Sequence, residues 1–211
     1  MIPAFPVYLF DVDGTLLESA DDICGAIQEV LSTTTRNDVP FEFLRRYIGR
    51  HLLDLFEDLF PGEPAETYDE LIRKYRAVYP ARDHRMTKVY PGVAETLAAL
   101  GGRKATVTTK GTPTTRAVLE KFGLIQYFDH VQGTDGFAHK PAPDVVLASM
   151  RALGARPEEC LLVGDSPPDM EAGRRAGVKI CAVLYGYGEA EELRRWRPDY
   201  ILSSIRELQG P

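Results

Sequence analysis

The hydrophobic rhythm of the chain changes twice. Val7 to Phe10, "VYLF", has no charged position and reads as a short strand buried on both faces. From about Glu18 to Asp83 apolar residues recur at helical spacing. Leu52, Leu55, Phe56 and Leu59 form one stripe and Leu71, Tyr75 and Val78 another, with breaks at "TTTRNDVP" and "PGEP". No strand is predicted in that region. After "YPG" at Tyr90 to Gly92 strands and helices alternate. "KATVTT", "FDHVQG", "ECLLVG", "KICAVLYG" and "DYIL" read as strands, and "TPTTRAVLEKFG", "PDVVLASMRALG" and "PDMEAGRRAG" as helices. In the first of these helices Thr112 is the expected cap, Pro113 falls in the first turn and Gly123 lies past the end. The second places Val146, Met150 and Leu153 on one face and stops at Gly154.

Short strand–helix units of this kind predict an α/β fold: a Rossmann-like parallel sheet covered on both faces. The long helical stretch interrupts it after the first strand. The expected organisation is a core from residues 1–17 and 85–211, with an all-helical domain of residues 18–84 inserted. Internal repeats and low-complexity tracts are absent from the sequence.

Composition narrows the function classes. With 31 acidic and 25 basic residues among 211, the formal charge is −6, which disfavours nucleic acid or an anionic membrane surface as the main partner. "LRRWRPDY" is basic and aromatic, but it reads as a helix surface with Trp196 packing down. No apolar run approaches the length of a membrane span, and "MIPAFPVYLF" lacks the basic segment of a signal peptide. Cys24, Cys160 and Cys181 are odd in number and widely spaced, so they fit core packing in a reducing cytoplasm better than disulfides or a zinc site. His84, His130 and His139 show no ligand spacing and read as structural.

In parallel α/β sheets ligands bind beyond the carboxyl ends of the strands. Asp11, Asp13, Gly14 and Thr15 follow the first strand, Thr108, Thr109 and Lys110 the second, and Asp165, Ser166 and Asp169 follow "CLLVG"; Lys140 precedes a helix. Carboxylates converging on one point raise each other's pKa unless a cation lies between them, and an all-oxygen set suits Mg²⁺. The "DGT" turn offers backbone N–H groups to a phosphate, and Thr108 and Lys140 add a hydroxyl and a positive charge. The set describes metal-assisted phosphoryl transfer.

"DVDGTLLES", "TVTTKGT", "HKPAPD" and "VGDSPPDMEAGRRAG", in that order, resemble the four signature motifs of the haloacid dehalogenase superfamily. "DGTLLESADDI" and "YPGVAETLAAL" look most like its phosphoglycolate phosphatase subgroup, whose helical insert is a cap domain. The resemblance implies a Mg²⁺-dependent phosphatase for a small phosphorylated metabolite. Asp11 would be the nucleophile that becomes an aspartyl-phosphate. Asp13 would protonate the leaving alcohol and then activate water. Asp11 and Asp165 would bind Mg²⁺ through their side chains and Asp13 through its carbonyl, with Asp169 acting through water or by orienting its neighbours. Gly14, Thr108, Thr109 and Lys140 would hold the phosphate. Thr109 replaces the asparagine usual in relatives, and Gly173 an alanine. In the cap, Glu18, Arg50 and His51 are the candidate specificity residues. A phosphosugar mutase or an inorganic pyrophosphatase shares the same core motifs, whereas a non-catalytic binding domain would not need all four. A monomer and a homodimer are both compatible with the sequence.

Overall fold

The computed structural model describes residues 2–209. They form two compact units, one from residues 2–18 and 88–209, the other from residues 19–87.

The first unit is built on a five-stranded parallel sheet. In chain order its strands are β1 (Val7–Phe10), β4 (Arg103–Thr106), β5 (Cys160–Gly164), β6 (Lys179–Val183) and β7 (Tyr200–Leu202), and in space they run β4-β1-β5-β6-β7. The alternation of side chains along each strand divides the core into two layers. Tyr8, Phe10, Leu161, Val163, Cys181 and Val183 point to one face, where Val93, Leu97, Val118 and Leu119 cover them. Val7, Leu9, Leu162, Ile180 and Ala182 point to the other, under Val145, Val146, Met150 and Met170. The covering helices are α5 (Val93–Ala99), α6 (Thr112–Lys121), α7 (Asp144–Leu153), α8 (Pro167–Ala176) and α9 (Ala190–Arg195). On α8 no side chain fits at Gly173, because a β-carbon there would overlap a methyl of Ile180; this accounts for the departure from alanine.

A two-residue ribbon marks where the chain leaves and re-enters this unit: β2 (Leu17–Glu18) pairs antiparallel with β3 (Lys88–Val89). The pairing moves the boundaries from the expected 17/18 and 84/85 to 18/19 and 87/88. The second unit contains α1 (Ala20–Leu31), α2 (Phe41–Arg45), α3 (Leu52–Leu59) and α4 (Ala65–Ala81). Leu55, Phe56 and Leu59 are buried as the stripe predicts, but the buried face of α4 is Tyr68, Leu71, Ile72 and Tyr79, with Tyr75 and Val78 at its margin. Asp22 on α1 is buried and ties down the segment after α4, accepting hydrogen bonds from Met86 N (2.9 Å), Thr87 N (2.8 Å) and Thr87 Oγ1 (2.7 Å). Gly25 lies under the Arg82 guanidinium, where a β-carbon would collide.

Two local expectations fail. "FDHVQG" is not a strand: one isolated bridge joins His130 to Ala105, and Thr106 Oγ1 takes over the pairing by donating to Gln132 O (2.9 Å) and accepting from Gln132 N (2.8 Å). Thr112 is not the cap of α6 but its first residue. Asp135, from a distant loop, accepts from Thr112 N at 3.0 and 3.2 Å and supplies the negative charge at that N-terminus.

Candidate active site

The site collects on the carboxyl edge of the sheet, and each residue reaches it for a topological reason. β1 and β5 are neighbours paired in register from Val7 to Phe10, so Asp11 and Asp165 leave adjacent strand tips. β4 lies on the other side of β1 and brings Thr108 and Lys110. Lys140 arrives on the segment before α7, and Asp169 stands in the first turn of α8.

Lys140 is the hub. Its ammonium is fully buried and donates to Asp11 Oδ1 (2.8 Å) and Asp169 Oδ1 (2.5 Å). Burial works to lower its pKa, but the two carboxylates outweigh that and raise it. Asp169 is fixed from the other side by a capping box, its Oδ2 accepting from Ser166 N (3.0 Å) and Ser166 Oγ (2.5 Å). Asp169 thus links Lys140 to the α8 N-terminus through its two carboxylate oxygens.

Carboxylate oxygens of Asp11, Asp165 and Asp169 lie within 4.8 Å of one another, and all three residues are buried. Three carboxylates against one ammonium leave two negative charges in a nearly dry space. Desolvation drives Asp11 up to about 7, with Asp169 and Asp13 adding to the rise and Lys140 opposing it. Asp165 is pushed well above the carboxylate range by burial first and then by Asp11 and Asp169. Asp11 Oδ2 is buried and, among the described residues, has no hydrogen-bond partner. A buried acceptor in that state costs stability unless a cation or donor reaches it. The donor set is all oxygen and carries the charge of one divalent ion, so the residues fit Mg²⁺.

Asp13 is nearly buried, and its Oδ2 lies 3.2 Å from Lys110 Nζ, a residue noticed in the sequence without a role. Lys110 is itself set by its backbone: its N–H donates to Thr108 Oγ1 (3.3 Å) and its carbonyl accepts from Thr134 N (3.0 Å). Thr108 is buried and Thr109 half-buried beside it. Gly14 needs its left-handed backbone (φ 92°), and a β-carbon there would run into the Asp165 carboxylate. Asp165 accepts from Thr15 Oγ1 (2.9 Å) on one oxygen and from Tyr187 N (2.8 Å) on the other. The sequence motif gives Thr15 only a backbone role in the turn and Tyr187 none.

Three further candidates are those expected to govern substrate choice. Glu18 is exposed on β2, opposite Lys88. Arg50 and His51 belong to the helical unit, where Arg50 is exposed with its guanidinium 5.6 Å from the Tyr47 ring centre. His51 caps α3, its Nδ1 accepting from Leu53 N at 3.3 Å.

Comparison with known proteins gives the family. A sequence model of the haloacid dehalogenase-like hydrolases matches residues 8–183. The chain is a haloacid dehalogenase-like hydrolase. Among members of this hydrolase family, the chain is 36% identical to a phosphoglycolate phosphatase of Aquifex aeolicus over 96% of its own length and 94% of that protein's. It is 34% identical to the pyrophosphatase PpaX of Halalkalibacterium halodurans, covering 95% of this chain and 93% of that one. The crystal structure of a protein described as a predicted phosphatase, from Clostridium acetobutylicum, superposes with a TM-score of 0.90 at 28% identity, covering 98% of this hydrolase and 97% of that chain. No helix among the described residues is long and apolar enough to cross a membrane.

Proposed function

We propose that this hydrolase is a Mg²⁺-dependent phosphatase that cleaves small phosphomonoesters through an aspartyl-phosphate on Asp11, with phosphoglycolate the first substrate to try. The observation that carries the reading is the asymmetry of Asp11: Lys140 holds Oδ1 at 2.8 Å, while Oδ2 is buried without a donor. A carboxylate anchored on one oxygen and without a donor on the other keeps that oxygen's lone pairs for phosphorus and has its direction fixed.

Asp11, Asp165 and the Asp13 carbonyl would hold the ion, which when bound keeps these carboxylates ionised and draws charge from the phosphoryl oxygens. Asp11 forms the bond to phosphorus as the ester oxygen departs. Asp13 gives that oxygen its proton and later takes one from the water that cleaves the acyl-phosphate. Lys110, 3.2 Å from Asp13 Oδ2, steadies the acid. Thr108, Thr109 and Lys140 offer donors for the phosphoryl oxygens, whereas Gly14 N and Thr15 N, expected from the sequence to face phosphate, already donate to Leu17 O (2.8 Å) and Val12 O (3.4 Å).

Choice of substrate is assigned to the helical unit acting as a cap, with Arg50 the candidate for an anionic group on the substrate. His51 serves α3, and Glu18 is the remaining candidate beside the crossing. The buried cysteines are free, which suits a reducing cytoplasm. Pyrophosphate is the second substrate class to weigh, because the PpaX relative is nearly as similar, 34% against 36% identical.

Phosphate release should be measured over phosphoglycolate, other small phosphomonoesters, sugar phosphates and pyrophosphate, with Mg²⁺ and with EDTA. Mg²⁺-dependent turnover of a monoester, abolished in Asp11→Asn, is expected. A preference for pyrophosphate would move the assignment to the second class. Ordinary turnover by Asp11→Asn would sink the mechanism.

A further inference from the structure

Asp165 is only 1% exposed, and much of its enclosure comes from a fourth strand end. The segment Leu184–Gly188, "LYGYG", follows β6, the neighbour of β5, whose tip carries Asp165. It wraps that residue on several sides. Tyr187 N donates to Asp165 Oδ2 (2.8 Å). The Gly186 backbone lies so close that a β-carbon would overlap the Asp165 side chain, and a β-carbon on Gly188 would overlap the Asp165 carbonyl oxygen. Tyr185 reaches further along the same wall. Its hydroxyl donates to Thr15 O (2.9 Å), and Thr15 Oγ1 donates to Asp165 Oδ1 (2.9 Å). The Tyr90 ring packs against Tyr185 at 4.8 Å between centres. Both oxygens of Asp165 are therefore oriented by donors, one given directly by the segment and one steadied by it.

We propose that Leu184–Gly188 is a positioning element of the metal site, and that Gly186 and Tyr185 set the affinity for the divalent ion by fixing the Asp165 carboxylate. The proposal rests on the reading of Asp165 as a ligand of Mg²⁺. Its physical basis is pre-organisation. Mg²⁺ demands near-ideal octahedral geometry, so a ligand already held in one orientation binds more tightly than one that must be ordered. Glycine is required at 186 because the wall must come within van der Waals contact of the ligand itself. A methyl group there turns the carboxylate away without removing any ligand.

The test is direct titration of Mg²⁺ into metal-free protein by calorimetry, together with the Mg²⁺ dependence of phosphate release. Gly186→Ala should weaken Mg²⁺ binding about 10- to 100-fold, the range typical of lost outer-shell support, while excess Mg²⁺ restores turnover toward wild type. Tyr185→Phe, which keeps the ring and loses only the bond to Thr15, should weaken it about 2- to 10-fold and serves if Gly186→Ala does not fold. Gly101→Ala, at a site with nothing within 4 Å of the new methyl, is the control and should bind as wild type. A folded Gly186→Ala or Tyr185→Phe protein with wild-type affinity overturns the proposal while leaving the metal site standing. Wild-type protein that binds no Mg²⁺ overturns the metal reading, and this inference with it.

Discussion

Replacing Asp11 with asparagine should abolish activity and, in metal-free protein at alkaline pH, make the fold more stable. Asn has the shape of the protonated carboxyl and can still accept the Lys140 hydrogen bond, but it never ionises. Asp11 has a folded pKa of about 7 against a reference of 3.8, with burial the main cause. A carboxyl raised in this way favours the folded state fully below the unfolded pKa, and that contribution is lost as pH rises through the folded one. Here the loss runs from about pH 4 to pH 7, and its ceiling is about 4 kcal/mol. Discounting by about half for the shared charge of Asp165 and an imperfect isostere leaves about 2 kcal/mol, or about 4–8 °C in the transition of the α/β unit. In EDTA at pH 8, Asp11→Asn should therefore melt above wild type, and at pH 4 the two should nearly coincide. Mg²⁺ should raise the wild-type transition, most at high pH, and move the variant little. Turnover should fall at least about 10⁴-fold. An Asp11→Asn protein less stable than wild type at pH 8 without metal, or stabilised as strongly as wild type by Mg²⁺, would refute the account of a charge-strained site.

Three further changes probe other parts of the structure. Lys110→Met removes the ion pair at Asp13 Oδ2, and kcat for an alkyl phosphate should drop about 10- to 100-fold, with a much smaller drop for a nitrophenyl ester whose leaving group needs no proton. Equal losses on both esters would count against the positioning role. Asp22→Ala strips the acceptor from Met86 N, Thr87 N and Thr87 Oγ1 and should cost the helical unit about 3 kcal/mol in denaturant melts, with Asn recovering part of it. Asp135→Ala removes the anion at the start of α6 and should cost about 1 kcal/mol, a loss that Asn largely restores.

Sequence reading located side chains that follow a strand directly and missed those whose role depends on strand order. Asp11, Thr108 and Asp165 could be named because an apolar run ends and a polar residue follows, and in a parallel sheet those ends share one edge. That Lys110 faces Asp13 depends on β4 lying beside β1, and that Tyr185–Gly188 enclose Asp165 depends on β6 lying beside β5; periodicity encodes neither adjacency. The glycines of "LYGYG" have their reason in the proximity of Asp165, about twenty positions earlier. "FDHVQG" misled for a related reason. Its apolar and β-branched content suits a strand, yet the Thr106 hydroxyl satisfies Gln132 where a ladder would have continued. For α6, the nearest hydroxyl was the natural choice of cap, and the true partner comes from residue 135, beyond the reach of any local rule.

The cluster also explains why a lysine is tolerated where no water reaches it. Lys140 is fully buried, a costly position for an ammonium unless carboxylates offset the desolvation. Two carboxylates do so, and one of them, Asp169, is held independently by Ser166 N at 3.0 Å, so the hub keeps its orientation if Asp11 moves or becomes esterified. That division matters for the proposed cycle. When Asp11 carries phosphate its charge moves outward onto the phosphoryl oxygens, and Lys140, still anchored to Asp169, can follow that charge without losing both partners. A Lys140 paired with Asp11 alone would be stranded at that step. Mutation of Asp169 to Asn should therefore slow formation or breakdown of the acyl-phosphate more than it weakens substrate binding, a kcat effect with KM nearly unchanged in steady-state kinetics. A rise in KM at constant kcat would mean that Asp169 shapes the pocket and does not steady Lys140.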